Sequence, residues 1–174
     1  MAPLADAESL FAAHQVGLLR YLSRAVGHPD TARDLTQDVF LRVSGAHAIP
    51  ATDDERRVWI FRIARNLAID HRRRHHVRLE TPAAQRLEVI QPAGQDTSIA
   101  VNEALAALDP LDRDVFLMRE VAGLSYAEAA TACDLTVAAV RSRIHRARLE
   151  LRARLRTPIA DTRTRPLRAG FPSA

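Results

Sequence analysis

The side chains in this sequence best suited to chemistry form a short polar run near its carboxyl end. Four of them have spacings that place them on one face of an α-helix: Arg141, Ser142, His145 and Arg146. Arginine can donate two parallel hydrogen bonds to a guanine edge or a phosphate, serine can reach either, and histidine can donate to an acceptor. The run therefore predicts a DNA-reading face, although His145 on its own would also suit a structural role.

The residues around this face have the pattern of a helix-turn-helix. Ser125 and Glu128 predict a capping box, in which each side chain satisfies the other's free backbone N–H. Cys133–Leu135 predicts a turn, where Asp134 or a neighbour takes the left-handed conformation. Thr136 then caps the second helix, whose free N–H groups favour a phosphate. Such a second helix enters the major groove.

Two further helices are predicted earlier in this second segment, residues 99–156. Thr97 or Ser98 is expected to cap the first. Asp109 followed by Pro110 predicts a new helix start, and Gly123 its end. The last helix is predicted to face the core with a row of apolar residues: Val140, Ile144, Ala147, Leu151 and Leu155. The tail, 157–174, is rich in arginine and proline and is predicted to be a disordered basic extension.

The first segment, residues 6–76, predicts three amphipathic helices. The second of them turns one face inward and another outward. The inward residues are Leu35, Val39 and Val43, and the outward ones are Asp34, Gln37 and Asp38. Residues 44–53 predict a loop and residues 77–98 a linker.

The third helix, over about 54–75, has an apolar stripe that polar residues interrupt. Its members are Val58, Trp59, Arg62, Ile63, Asn66 and Leu67. Plain core packing is one explanation for Trp59. An aromatic ring beside a guanidinium would also suit stacking on unpaired bases.

Composition and charge narrow the class of protein. With only 5% aromatic residues, the core must come from aliphatic side chains, which favours an all-α fold of two small helical domains. Arginines cluster over 62–78 and 141–156, while 96–128 is acidic. Two separate basic patches are expected of a protein that binds one polyanion at two places. Two solvated, arginine-rich helix faces would give the same charge pattern.

Several other classes find little support. One cysteine excludes an internal disulfide, no apolar run approaches a membrane span, and the amino end lacks the basic start of a signal peptide, so a cytoplasmic protein is expected. No nucleophile–base pair, phosphate loop or zinc spacing occurs, so neither an enzyme nor a cofactor is expected. His71, His75 and His76 have helical spacing, which fits a basic helix end better than a metal site.

Five stretches together resemble the extracytoplasmic-function (ECF) subfamily of bacterial sigma factors. The fourth conserved region of that family is similar to Asp109–Glu120, Gly123–Ala130 and Val140–Arg148. Its second conserved region is similar to Asp34–Val43 and Trp59–Arg73. A similar helix-turn-helix also occurs in response regulators, so the two regions in this order carry the resemblance.

The resemblance implies a factor that binds RNA polymerase core and directs it to promoters. Asp34, Gln37 and Asp38 would face the clamp helices of the largest subunit, and the flap region would be a second contact. The −10 element would meet Trp59, Arg62 and Asn66, with a flipped base held by the loop 44–53. The residues implied at the −35 element are Arg119, Tyr126, Thr136, Arg141, Ser142, His145 and Arg146. An anti-sigma factor is a common partner in the family, and nothing in the sequence identifies one.

This chain departs from the family pattern at a few positions. Asp38 stands where the family more often has Glu, and Asp134 occupies a turn that usually carries Gly. Ala138 and Ala139 replace a common Gly-Thr pair, which removes one hydroxyl from the helix start. An operator-binding repressor or activator is the main alternative function, but it would need neither the acidic face nor the Trp59 segment. A protein that only sequesters a partner would not need the basic patches.

Overall fold

The computed structural model describes the backbone of residues 4–79 and 96–156 and the side chains of residues 8–75 and 99–156. Over these ranges the chain forms seven α-helices and no strand, which confirms the predicted all-α class. In order they are α1 (Leu4–Val26), α2 (Pro29–Ser44), α3 (Asp53–Leu79), α4 (Asp96–Ala106), α5 (Pro110–Glu120), α6 (Tyr126–Cys133) and α7 (Val137–Arg156). Predictions for the middle of the linker and for the tail lie outside the described residues.

The first segment is a three-helix unit in which α1 contacts both α2 and α3. The Phe11 and Phe40 rings meet at 5.0 Å between α1 and α2, and Tyr21 meets Phe61 edge-on at 5.9 Å between α1 and α3. The predicted inward face of α2 is buried and its predicted outward face is exposed. Helix α3 continues to Leu79, beyond its predicted end.

The apolar stripe predicted for α3 is wrong in register. The buried residues of this helix are Ile60, Phe61, Ala64, Leu67 and Ala68. Only Leu67 belongs to the predicted stripe, while Val58, Trp59 and Ile63 are half-buried and Asn66 is exposed. The reason is that α3 has two neighbours: one face packs in the three-helix unit and another lies against the second segment, so no single apolar stripe marks its buried side.

Local signals in the second segment predicted its helix ends well. The Asp109 carboxylate accepts from the backbone N–H of Leu111 at 3.0 Å and of Asp112 at 3.2 Å. The capping box of Ser125 and Glu128 is present, and Asp134 is left-handed, with φ of 55°. These capping contacts confirm the predicted start of α5 and the predicted turn before α7.

Other predicted ends in this segment need adjustment. Helix α4 begins at Asp96, so Thr97 and Ser98 lie within its first turn rather than before it. Helix α5 ends at Glu120, three residues before Gly123, whose φ of 75° is left-handed as expected of a terminating glycine. Leu155 is 49% exposed, so the buried line of α7 ends at Leu151.

The two segments lie against each other, with α3 on α6 and α1 on α5. Cys133 is buried in this second segment with its sulfur 3.6 Å from that of Met118, and burial raises the pKa of its thiol to about 11. None of the helices in the described part of the chain is long and apolar enough to cross a membrane.

Candidate nucleic-acid interface

Helix α7 presents the predicted reading face to solvent. Val140, Ile144 and Ala147 anchor the opposite side in the core. The exposed residues are the four predicted readers, Arg141, Ser142, His145 and Arg146. Thr136 Oγ1 accepts from the N–H of Ala139 at 3.1 Å, which fixes the start of the helix. A rigid helix with polar side chains on one exposed side is the geometry that major-groove reading requires.

Tyr126 lies between two of the predicted DNA contacts. The Arg119 guanidinium is 5.0 Å from the centre of its ring and the Arg141 guanidinium is 5.4 Å away. Arg119 also donates to the carbonyl of Leu124 at 3.0 Å. Cation–π contact with one ring therefore holds two arginines from different helices beside each other.

Asp112 holds two arginines of α7 from the facing helix α5. Its carboxylate, 8% exposed, accepts from Arg143 Nη1 at 2.6 Å. It also accepts from Arg146 Nε and Nη2, both at 3.0 Å. The Arg146 guanidinium is thus already paired with a protein carboxylate through two hydrogen bonds. It must leave Asp112 before it can make the same bidentate contact with a base. Neither Asp112 nor Arg143 was among the predicted site residues.

These contacts predict how Asp112 responds to acid. Burial would raise the pKa of its carboxyl, but hydrogen bonds from Arg146 and Arg143 outweigh burial and hold that pKa below its ordinary value. A carboxyl whose pKa is lower in the folded than in the unfolded protein stabilises the fold when it is ionised. That stability is fully present above the pKa of the unfolded state, about 3.9, and is lost as the pH falls through the pKa of the folded state. Asp112→Asn should therefore cost about 1–2 kcal/mol of unfolding free energy at both pH 7 and pH 5.

Denaturant unfolding of the two proteins from pH 7 to pH 3 measures this difference. The difference in unfolding free energy between the wild type and Asp112→Asn should become smaller only below about pH 4. A difference that has already vanished at pH 5 would show that the carboxylate of Asp112 is not held by its arginines.

The acidic face of α2 contains Asp34, Gln37 and Asp38, all exposed as predicted. Leu41, 59% exposed, lies one turn further on the same side of the helix. In the sequence only the polar residues indicated this face. Leu41 was not predicted to belong to it, because a single leucine in an amphipathic helix is ordinarily assigned to the core. The structure adds an apolar residue to a surface that is otherwise polar.

Two of the three residues predicted for the −10 element, Trp59 and Arg62, line a cleft between α3 and α6. Trp59 is half-buried there and Asn66 is exposed. The Arg62 guanidinium donates to the backbone carbonyl of Thr131 and, at 2.7 Å, to the carboxylate of Asp134. The cleft has a volume of about 650 Å³. Its walls are Asp54, Glu55, Val58, Trp59, Arg62, Ser125, Ala127, Glu128 and Thr131.

Further contacts join α3 to the second segment, and no pattern in the sequence predicted them. Asp114, with a side chain 2% exposed, accepts from Arg65 Nε at 3.1 Å and from Arg72 Nη2 at 3.0 Å. Arg57 donates to the carbonyl of Gly123 at 2.9 Å. Charge clusters in the sequence showed that α3 is basic and α5 is acidic, but not which residues pair.

The loop before α3 ends in a reciprocal cap. Glu55 N donates to Thr52 Oγ1 at 3.3 Å, and Thr52 N donates to a Glu55 carboxylate oxygen at 3.2 Å. The Thr-x-x-Glu spacing was a usable sequence signal for this helix start and was missed. Arg56 Nε donates to the carbonyl of Pro50 at 2.8 Å and so holds the loop to the helix.

Histidines on α3 do not assemble a metal site in the part described. The His71 and His75 rings stack at 6.2 Å. Burial, followed by the neighbouring charge of His75, lowers the pKa of His71. Among the described residues, no group of three His, Cys, Asp or Glu side chains lies close enough to hold a metal ion. The side chain of His76 is outside them.

Comparison with known proteins identifies both segments. Residues 10–78 match the family Sigma-70 region 2, and residues 98–151 match Sigma-70, region 4. The RNA polymerase sigma factor CnrH of Cupriavidus metallidurans is 34% identical over 84% of each chain. The chain belongs to the ECF subfamily of sigma-70 factors. Sigma factors direct promoter-specific initiation of transcription and are themselves non-catalytic.

Two further comparisons agree with this membership. The ECF RNA polymerase sigma factor SigC of Mycobacterium tuberculosis is 35% identical over 68% of this sigma factor, and the match spans 66% of SigC. The solved structure of CnrH in complex with the cytosolic domain of CnrY is 28% identical, with a TM-score of 0.65, and covers 88% of this chain and 90% of that one. The helix order found here is thus that of region 2 followed by region 4.

Proposed function

We propose that this sigma factor binds RNA polymerase core and reads a −10 element with region 2 and a −35 element with region 4. The observation that carries the proposal is the exposed reading face of α7, fixed from behind by a buried apolar line and alongside by Tyr126. The base readers on this face are Arg141, Ser142, His145 and Arg146, and Tyr126 lies beside them. Arg119 and Thr136 are suited to phosphates.

Region 2 has separate surfaces for polymerase and for DNA. The face of Asp34, Gln37 and Asp38 on α2 binds the clamp helices of the largest subunit, with Leu41 as an apolar contact beside them. Trp59 and Asn66 contact the single-stranded −10 DNA from α3, and Arg62 joins them once it is free. The loop 44–53 accepts a flipped base. The protein then acts without a catalytic step, in the cytoplasm where polymerase works.

The domains of the proposal follow the two matched regions. Residues 6–76 form the polymerase and −10 unit, 77–98 the linker, and 99–156 the −35 unit, with 157–174 as a basic tail. An anti-sigma partner enters the proposal because the related CnrH was solved in complex with the cytosolic domain of CnrY.

Run-off transcription with core polymerase and a randomised promoter library tests this function. We expect initiation only from promoters that share two sequence elements, and weak binding of the sigma factor alone to the same duplex DNA. Tight, sequence-specific binding to duplex DNA without polymerase would contradict the proposal and favour an operator-binding regulator.

A charge reversal on α2 tests the polymerase surface separately. Asp38→Arg should weaken binding to core polymerase on the order of tenfold, because an interface acid becomes a like charge for its basic partner. Asp30→Arg is the matched control, since Asp30 is also an exposed acid of α2 but lies in its first turn and pairs with Arg33. Equal losses for both variants would show that only net charge matters.

A further inference from the structure

Helix α7 begins with a valine that faces solvent. Val137 is the first residue of the helix and is 37% exposed. Within the described residues, α7 has two other exposed large apolar side chains, Leu149 and Leu155, and both lie in its second half. The buried side of the helix begins three residues after Val137, at Val140. Packing inside the protein therefore does not account for Val137.

The local structure of the helix start does not require a valine either. Thr136 already caps the helix: its Oγ1 accepts from the N–H of Ala139 at 3.1 Å, and its carbonyl accepts from the N–H of Val140 at 3.0 Å. Valine is β-branched and a weaker helix former than alanine, which occupies the next two positions. Neither capping nor helix propensity explains the residue at this position.

Val137 lies at the end of α7 that would approach DNA first. It precedes Arg141 by four residues, so the two side chains lie on the same side of the helix. Ala138, also exposed, precedes Ser142 by the same spacing. In a helix-turn-helix, the amino-terminal residues of the second helix contact base edges in the major groove. An exposed apolar side chain is thus placed at the leading end of a polar reading face.

An apolar side chain can read a feature that the polar readers cannot. Arg141, Ser142, His145 and Arg146 can all donate hydrogen bonds, but guanine, adenine and thymine all present acceptors in the major groove. Thymine alone also presents a methyl group there. Valine pressed against a purely polar base edge would leave that edge without a hydrogen-bond partner, which costs free energy. Val137 therefore suits thymine better than the other bases.

We propose that Val137 contacts the methyl group of a thymine in the −35 element and adds a preference that the hydrogen bonds of the reading face cannot supply. This inference rests on the proposed function, because it takes α7 as the −35 reader. Four residues correspond to about 6 Å along a helix, and base pairs are about 3.4 Å apart. The thymine therefore belongs within about two base pairs of the pair that Arg141 reads.

Deoxyuridine tests the contact, because it differs from thymidine only by the missing methyl group. Each thymine of the −35 element selected in the run-off assay, on either strand, is replaced singly by deoxyuridine. The affinity of the wild-type polymerase complex for each DNA is then measured by competition. We expect one replacement near the base pair of Arg141 to weaken binding about three- to fivefold, the effect of burying one methyl group.

Val137→Ala ties this loss to the side chain. The variant complex should bind the thymine and deoxyuridine DNAs equally, since the partner of the methyl group is gone. Alanine is the stronger helix former, so the variant should fold, and circular dichroism checks this. Leu155→Ala is the matched control: Leu155 is also an exposed apolar residue of α7, but it lies about 27 Å further along the helix. It should keep the full deoxyuridine effect.

The outcomes separate this inference from the function on which it rests. A deoxyuridine effect of the same size in Val137→Ala and the wild type, or no effect at any thymine, would overturn the contact. If Val137→Ala weakens binding to all −35 sequences by one factor and leaves the deoxyuridine effect intact, Val137 contacts the sugar–phosphate backbone instead. A wild-type complex with no preference among −35 sequences would overturn the proposed function itself.

Discussion

Phe61→Ala is expected to lower the free energy of unfolding by about 3–5 kcal/mol, the usual range for truncating a buried phenylalanine. Phe61 is 1% exposed and its ring meets that of Tyr21 edge-on at 5.9 Å. Removing it leaves a cavity between α1 and α3, which surrounding helices fill only in part. Denaturant unfolding followed by far-ultraviolet circular dichroism measures the loss.

Trp59→Ala is the informative comparison, because Trp59 lies two residues away and is the larger side chain. It is only half-buried and borders an open cleft, so its removal should cost about 1 kcal/mol. Initiation should nevertheless fall if Trp59 is the stacking surface proposed for the −10 strand. A stability loss equal to that of Phe61→Ala would show that Trp59 is packed in the core of region 2 as firmly as Phe61.

Arg141→Ala is expected to cost about 1–3 kcal/mol of discrimination at one base pair of the −35 element. Arg141 is exposed on the reading face and its guanidinium lies beside the Tyr126 ring, so little freedom is lost when it meets a base. Competition among −35 elements with single base changes, measured with the polymerase complex, gives the discrimination directly. Arg154→Ala is the control, because Arg154 pairs with Glu150 near the end of α7.

The pattern of loss decides the role of Arg141. If the alanine variant binds all −35 sequences more weakly by the same factor, Arg141 contacts phosphate and not a base. Arg146→Ala should show a smaller loss than Arg141→Ala. Its contact with DNA would replace the existing bidentate pair with Asp112, so the net gain on binding is smaller.

The sequence was sufficient at several positions where the signal is local. The caps at Asp109 and Ser125, the left-handed Asp134 and the exposed acids of α2 depend on residues a few positions apart, so their patterns predict the geometry directly. The exposed face of α7 followed from helical periodicity in the same way.

Contacts between distant residues could not be predicted in this way. Arg65 meets Asp114 and Arg62 meets Asp134, pairs separated by 49 and 72 residues. Their pairing depends on how α3 lies against α5 and α6, and periodicity does not encode that placement. The same contact explains the wrong register on α3, since a helix with two packed sides has polar residues on one of them. Individual base contacts stay predictions.

Asp134 shows how one position can serve two requirements that conflict. Its left-handed backbone costs most residues about 1–2 kcal/mol, and glycine avoids that penalty. Glycine, however, has no carboxylate to offer Arg62. An ECF factor with glycine at this turn would have a more relaxed helix-turn-helix and a less restrained Arg62, so a single side chain here can adjust how firmly α3 is held against the helix-turn-helix.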